Sequence, residues 1–291
     1  MSEAASGLRG LMATPRKTPP ILSIIVPVHN QARTIGQTLH ALQPFRARNA
    51  EVIVVDGGSS DATATLARPL ADQVITAPLG LGRQMNEGAK AANGFIFLFL
   101  RPETTLPPDA DTQVMYGRAR DTAVWGRFDQ RIAGRHMLLP LVARFLNWRS
   151  RVTGIASGEQ AIFVQRETFF RIGGFLHIPA MEDIELCGRL REISPPICVT
   201  SRVTVPGDRY DRDGVLRTLR TMTAMRWRYR MGAKPEALAK RYGTERSAAT
   251  KPAQDTPAVA RKPDSGRPAS PPEPVVQTKA QPRLRGRADK A

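Results

Sequence analysis

Apolar positions along the first hundred residues switch between two spacings. Ile21 to Val28 is a run of apolar and β-branched residues, which predicts a buried strand. Gln31 to Leu42 then carries Ile35, Leu39 and Leu42 at helical spacing. Glu51 to Asp56 repeats the strand pattern. Gly57 to Asp61 reads as a turn in which Ser60 or Asp61 caps a helix running toward Leu70. Gln73 to Thr76 predicts a short third strand, Gly82 to Asn93 a helix stopped by Gly94, and Phe95 to Leu100 a fourth strand buried on both faces.

Strand and helix alternating with short connections predict an α/β fold, a mostly parallel sheet with helices on both faces. Ligands of such sheets bind at the carboxyl ends of the strands. Here those ends are Val28-His29-Asn30, Asp56-Gly57-Gly58 and Arg101-Pro102-Glu103, each polar straight after an apolar run.

The second half is more mixed. A helix is expected from Pro107-Pro108, and a strand over Thr122 to Arg131 that leaves the parallel order. Further helices are expected over His136 to Trp148, Glu167 to Ile172, Met181 to Arg191 and Gly214 to Met231, with a short strand over Gly158 to Val164. From about Thr244 no apolar period survives, so residues 244–291 are expected to be a disordered Pro/Ala/basic tail. The expected organisation is a flexible N-terminus over residues 1–20 and one domain over 21–243, with a nucleotide-binding half at 21–110 and an acceptor half at 111–243.

Composition changes this picture in one respect. A net charge of +17 favours contact with anions: nucleic acid, an acidic lipid surface or a phosphorylated substrate. No zinc pattern and no aromatic ribonucleoprotein signature is present, so no specific nucleic acid is expected. The last helix interleaves Arg217, Arg220, Arg226, Arg228 and Arg230 with Met222, Met225, Trp227, Tyr229 and Met231. That pattern suits either an anionic membrane surface or a packed helix with snorkelling arginines. Residues 1–20 lack the apolar core of a signal peptide. The longest apolar run falls far short of the roughly 20 residues that cross a bilayer. A cytoplasmic protein with peripheral membrane contact is expected. Cys187 and Cys198 fit no metal spacing and are expected to be buried thiols.

Several polar residues suit chemistry. Asp56, before two glycines, can accept hydrogen bonds from a ribose or a base, or simply cap its turn. Arg83, Gln84 and Asn86 open a helix after Gly80 and Gly82, a place that suits phosphate as well as solvent. Glu103 can offer a carboxylate to Mg²⁺ or Mn²⁺ beside a diphosphate, while Arg101 can neutralise the same charge without metal. Glu182 and Asp183 open a helix, where the dipole alone favours acids, but one of them can also serve as a general base.

Six segments taken in order resemble family 2 glycosyltransferases of the GT-A fold. They are SIIVPVHNQARTI (23–35), EVIVVDGGSSDAT (51–63), GRQMNEGAKAANG (82–94), FLFLRPETTLPPD (97–109), GEQAIFVQRETFFRIGGF (158–175) and MEDIELCGRL (181–190). The WGRFD, EDIEL and KRYG segments are similar to a bacterial subgroup of radical-SAM/selenodomain-associated transferases. The resemblance implies transfer of a sugar from a nucleotide-diphosphate donor to an unknown acceptor hydroxyl with inversion. It implies that Pro27 and Asn30 line the nucleotide pocket, Asp56 binds the uracil or ribose, and Arg83 and Asn86 flank the nucleotide. It places Glu103 at the metal-ligand position and Asp183 as the base, with Glu182 beside it.

One segment departs from the pattern. Where the subgroup has His-Ala-Asp-Thr, this chain has Arg101-Pro102-Glu103-Thr104. Three readings stay open: weakened metal use, Arg101 in place of the metal, or a catalytically silent binding protein. A basic membrane-surface or nucleic-acid-associated protein is the remaining alternative.

Overall fold

The computed structural model describes residues 18–120 and 122–240. The expected tail at 244–291 and most of the expected flexible N-terminus lie outside the described residues.

Strand β1 (Leu22–Val28) is buried along its whole length, as its largely apolar run requires, and its one polar side chain, Ser23, donates to Glu51 Oε2 at 2.6 Å. Helix α1 (Ile35–Ala47) follows, then β2 (Glu51–Asp56), α2 (Thr63–Ala67), β3 (Gln73–Thr76), α3 (Leu81–Ala91) and β4 (Ile96–Phe99). The second half adds α4 (Ala110–Arg120), β5 (Trp125–Ala133), α5 (Leu139–Thr153), a 3-10 turn at Gly158–Gln160, β6 (Phe163–Gln165) and α6 (Arg166–Arg171). It closes with α7 (Glu182–Ile193), β7 (Ile197–Pro206), α8 (Asp208–Asp213) and α9 (Val215–Arg230).

The strands form one seven-stranded sheet in the order β3-β2-β1-β4-β6-β5-β7. The β3–β2, β2–β1, β1–β4 and β5–β7 pairs are parallel, and β6 runs antiparallel to both β4 and β5. The two expected halves therefore share a sheet, joined where β6 pairs with β4. Along β1, Ile24, Val26 and Val28 face a core built with α1, α4 and α5. Ile25 faces the other core, built with Met85 and Ala89 of α3, Phe169 of α6 and Leu186 and Leu190 of α7. Alternate strand residues thus point into opposite cores, which is why the strand carries apolar residues on both faces.

Several elements differ from expectation. α1 starts at Ile35, not Gln31, because the Gln31 and Ala32 amides donate to Thr63 Oγ1 (2.7 Å) and Asp61 Oδ2 (3.1 Å) and so leave the helical path. α2 ends at Ala67, short of Leu70. Phe95 is 68% exposed, so the fourth strand starts one residue later and is fully buried only from Ile96. The strand expected over Gly158 to Val164 begins instead as a 3-10 turn. Ser157 and Gln160 form a reciprocal capping box there, and Ala161 is left-handed at φ 47°. Strand β7 was not anticipated at all. Its VTSRVTV alternation sits between Pro195-Pro196 and Pro206, which read as breakers. Cys187 is buried as expected, whereas Cys198 is only partly so; both are free thiols.

Candidate active site

The carboxyl edge of the parallel strands holds two groups of polar residues, one on each side of β1. The first joins the ends of β1 and β2, where Val28 and Asp56 are in register. The Asp56 carboxylate accepts from the Ser59 amide at 3.1 Å and from the Ser59 hydroxyl. That hydroxyl oxygen also accepts from the Asn30 amide at 2.9 Å, and the Ser60 amide donates to Asn30 Oδ1 at 2.9 Å. Asn30 is left-handed at φ 52°, a conformation Asn tolerates better than most residues. Asp56 and Asn30 are thus brought together through Ser59, and Asp56 serves its own turn. Gln84 ties the same edge from below: its Nε2 donates at 2.9 Å to both Val28 O and Val55 O.

Pro27 is buried within β1 opposite Val55, and Arg83 is exposed on the first turn of α3. The Asn86 amide is used elsewhere. Its Nδ2 donates to Phe175 O at 2.8 Å and its Oδ1 accepts from Phe175 N at 2.9 Å. It clamps the chain after Gly173-Gly174, where a Cβ on Gly174 would lie 2.6 Å from Asn86 Oδ1.

The second group lies beyond β4. Arg101 Nη2 is 3.4 Å from Glu182 Oε1 in the first turn of α7. Gly158 packs on the same guanidinium, since a Cβ there would sit 3.1 Å from Arg101 Nε. The Gly158 amide donates to Asp183 Oδ2 at 2.6 Å, and the Ile184 amide to Asp183 Oδ1 at 2.8 Å. Met85, Phe99, Ile162 and Phe175 wall a small cavity onto which Gly158, Glu182 and Asp183 open.

Charge is concentrated around Arg101. Burial pulls its pKa down, but Glu182, Asp183, Glu159 and Glu103 together hold it above the ordinary value. Burial raises the Glu182 pKa, the Asp183 charge adds to this, and Arg101 opposes both. Glu159 is likewise raised by burial, against Arg101 and Arg226. Arg226 of α9 therefore acts on the site, and Tyr229, one turn on, lies in the field of Glu185, Arg189 and Asp183. Gly158 and Glu159 were missed as site residues. The signal was available in the Ser157-x-x-Gln160 capping box, which marks a turn where a strand was expected.

The ends of β2 and β4 thus share one edge of the sheet with α7. This edge is the ligand-binding position of open α/β sheets. A family model, Glycosyl transferase family 2, matches residues 23–166. The chain carries a glycosyl transferase family 2 domain.

Curated relatives align over part of their length. An uncharacterized glycosyltransferase of Rickettsia typhi is 31% identical over 93 residues, covering 31% of this chain and 29% of the relative. Glycosyltransferase AglE of Haloferax volcanii is 33% identical over 92 residues, covering 28% of this chain and 30% of the relative. The chain therefore spans under a third of the length of these relatives. Among solved structures, S. aureus TarS 1–349 in complex with UDP superposes at a TM-score of 0.53 and 17% identity, covering 64% of this chain and 60% of that one. The Pyrobaculum calidifontis mannosyltransferase PcManGT, in complex with GDP-Man and Mn²⁺, superposes at 0.50 and 20% identity, covering 65% and 57%. At these identities the likeness is one of fold.

GT-A enzymes commonly use a divalent ion. Glu103 is exposed in the turn after Arg101, whose guanidinium lies among the carboxylates instead. Among the described residues no three His, Cys, Asp or Glu side chains are grouped to hold an ion. Glu103 therefore offers one exposed carboxylate to Mg²⁺ or Mn²⁺, while inside the acidic pocket Arg101 supplies positive charge.

Proposed function

We propose that this chain transfers a sugar from a nucleoside-diphosphate sugar to an acceptor hydroxyl with inversion at the anomeric carbon. One observation carries the reading. Arg101 at the end of β4 meets Glu182 and the Asp183–Gly158 pair, on the same strand edge as the Asn30–Ser59–Asp56 turn. The Asn30–Ser59–Asp56 turn is assigned to the nucleoside, with exposed Arg83 at its margin. Arg101 is assigned to the diphosphate: its buried Nε has no hydrogen-bond partner and is a donor awaiting an anionic oxygen.

Asp183 takes the part of general base. It accepts the proton of the acceptor hydroxyl as that oxygen bonds to the anomeric carbon, and the carbon–oxygen bond to the diphosphate breaks with its electron pair leaving on the diphosphate. The two backbone donors that hold Asp183 fix its direction. Glu182 orients Arg101 from the other side. The WGRFD and EDIEL segments support placement in the radical-SAM/selenodomain-associated subgroup.

The test is release of nucleoside diphosphate from a panel of nucleotide sugars by the full chain. Asp183→Asn should lower release by about 10²–10⁴-fold, while the rise in melting temperature caused by nucleoside diphosphate persists. A silent binding protein is the second reading, favoured by the Arg101-Pro102-Glu103 departure. It predicts nucleotide-induced stabilisation with no release and no effect of Asp183→Asn.

A further inference from the structure

Helix α5 is apolar on two faces, and among the described residues only one of them is covered. Leu139, Val142, Ala143 and Leu146 lie in the core. On the outer side Leu141 is 65% exposed, Phe145 48%, Trp148 58% and Val152 67%. At about 100° per residue these four outer side chains fall within about 60° of one another, forming a single stripe along the helix. The Phe145 and Trp148 rings lie 6.0 Å apart within it. Met137, just ahead of the helix, is 86% exposed. The inner face already anchors α5, so folding does not require the outer stripe. Contiguous exposed apolar surface of this kind marks an interaction site.

The charge beside the stripe selects the occupant. From Arg131 to Ser157 the sequence holds five arginines and no acidic residue. By the same helical spacing, exposed Arg144 and Arg151 run along one flank of the stripe; Arg151 is paired with Asp129 at 2.6 Å. Arg149 borders the other flank. Its pKa is lowered to about 10, first by burial and then by the charge of Arg226 of α9. α9 likewise holds no acidic residue, and it exposes Trp227 (63%) next to Arg226 and Arg228.

We infer that the outer face of α5 docks on an anionic lipid surface. Leu, Val, Phe and Trp would enter the boundary between headgroups and acyl chains, while the arginines meet lipid phosphates. A second copy of this chain would bring like charge against the arginine flank, on a protein of net charge +17. A nucleic-acid backbone offers phosphate but nothing for the aliphatic stripe. The inference does not depend on the transferase reading. It does place a bilayer near the candidate site, because α5 runs through Gly154 directly into Ser157-Gly158, whose amide holds Asp183.

The experiment is sedimentation of the full chain with vesicles of phosphatidylcholine alone and of phosphatidylcholine with one-third phosphatidylglycerol. Binding is expected to the anionic vesicles, weakening as salt rises. The F145E/W148E double variant should bind about tenfold or more weakly, with its melting temperature within a few degrees of wild type. The variant retains every residue from 241 onward, so such a loss cannot come from the basic residues there. Should it fold poorly, quenching by brominated lipid gives a second readout: the wild type should be quenched, and Trp148→Phe clearly less so. The inference is overturned if the double variant binds like wild type, or if the wild type ignores anionic vesicles. It is also overturned if light scattering shows a dimer that F145E/W148E dissociates, since the stripe would then be a self-interface.

Discussion

The guanidinium of Arg101 lies 3.4 Å from the carboxylate of Glu182, linking the end of β4 to the first turn of α7. Replacing Arg101 with alanine removes a cation that faces Glu182, Asp183, Glu159 and Glu103 together. Arg101→Ala should weaken nucleoside diphosphate binding by about tenfold or more, and Arg101→Lys should fall between, because it keeps the charge but not the planar fork. Calorimetry with UDP and GDP in the presence of chelator measures both. Equal binding by Arg101→Ala would remove Arg101 from the diphosphate role. Binding that returns only with Mn²⁺ would mean a metal, not Arg101, carries the charge.

Glu159 gives a pH signature. Burial raises its pKa above the ordinary 4.5 in the folded protein, with Glu103 and Asp183 adding to the rise and the two arginines opposing it. The folded state therefore holds this proton more tightly than the unfolded chain does. The associated stability is fully present below about pH 4.5 and is lost as pH rises through the higher folded value. Glu159→Gln mimics the protonated form. Its melting temperature should match wild type near pH 4 and exceed it increasingly toward neutral pH. A constant gap across that range would contradict the prediction.

Gln84 holds two strand ends with one amide group. Gln84→Glu places a carboxylate against Val28 O and Val55 O, at a position only 2% exposed. Two acceptors would then face an acceptor in a buried site. A loss of about 2–4 kcal/mol is expected in urea unfolding, larger than that of Gln84→Met, which removes the bonds without adding charge.

Asp129 partners both Arg127 and Arg151. Arg127 is fully buried, so Asp129→Ala leaves a guanidinium without its counter-charge in the core. A cost of about 3–5 kcal/mol is expected. Replacing the pair together, as R127M/D129L, should cost markedly less, because no orphaned charge remains. Denaturant titration of the two variants compares them directly.

The strands of the first half were legible because a centrally placed parallel strand must be largely apolar on both faces, and ILSIIVPV, EVIVVD and IFLF meet that demand locally. The ends of those strands were legible for the same reason: polarity resumes abruptly at Asn30, Asp56 and Arg101. Strand β7 was not, because its side chains alternate between buried and half-exposed positions and prolines flank it. The role of Asn86 was not legible either. Its partner Phe175 lies 89 residues away, and nothing near Asn86 in the chain announces that contact.

The sequence by itself determined the α/β class, the strand ends that carry polar groups and the altered Arg101-Pro102-Glu103 segment, since each depends only on the order of residues within a short window. Tertiary structure alone decided that Arg101 faces Glu182, that Gly158 holds Asp183, and that no described residue covers the outer side of α5. Those outcomes depend on how strands far apart in the chain are ordered across the sheet, and local periodicity cannot encode which side chains that ordering brings face to face.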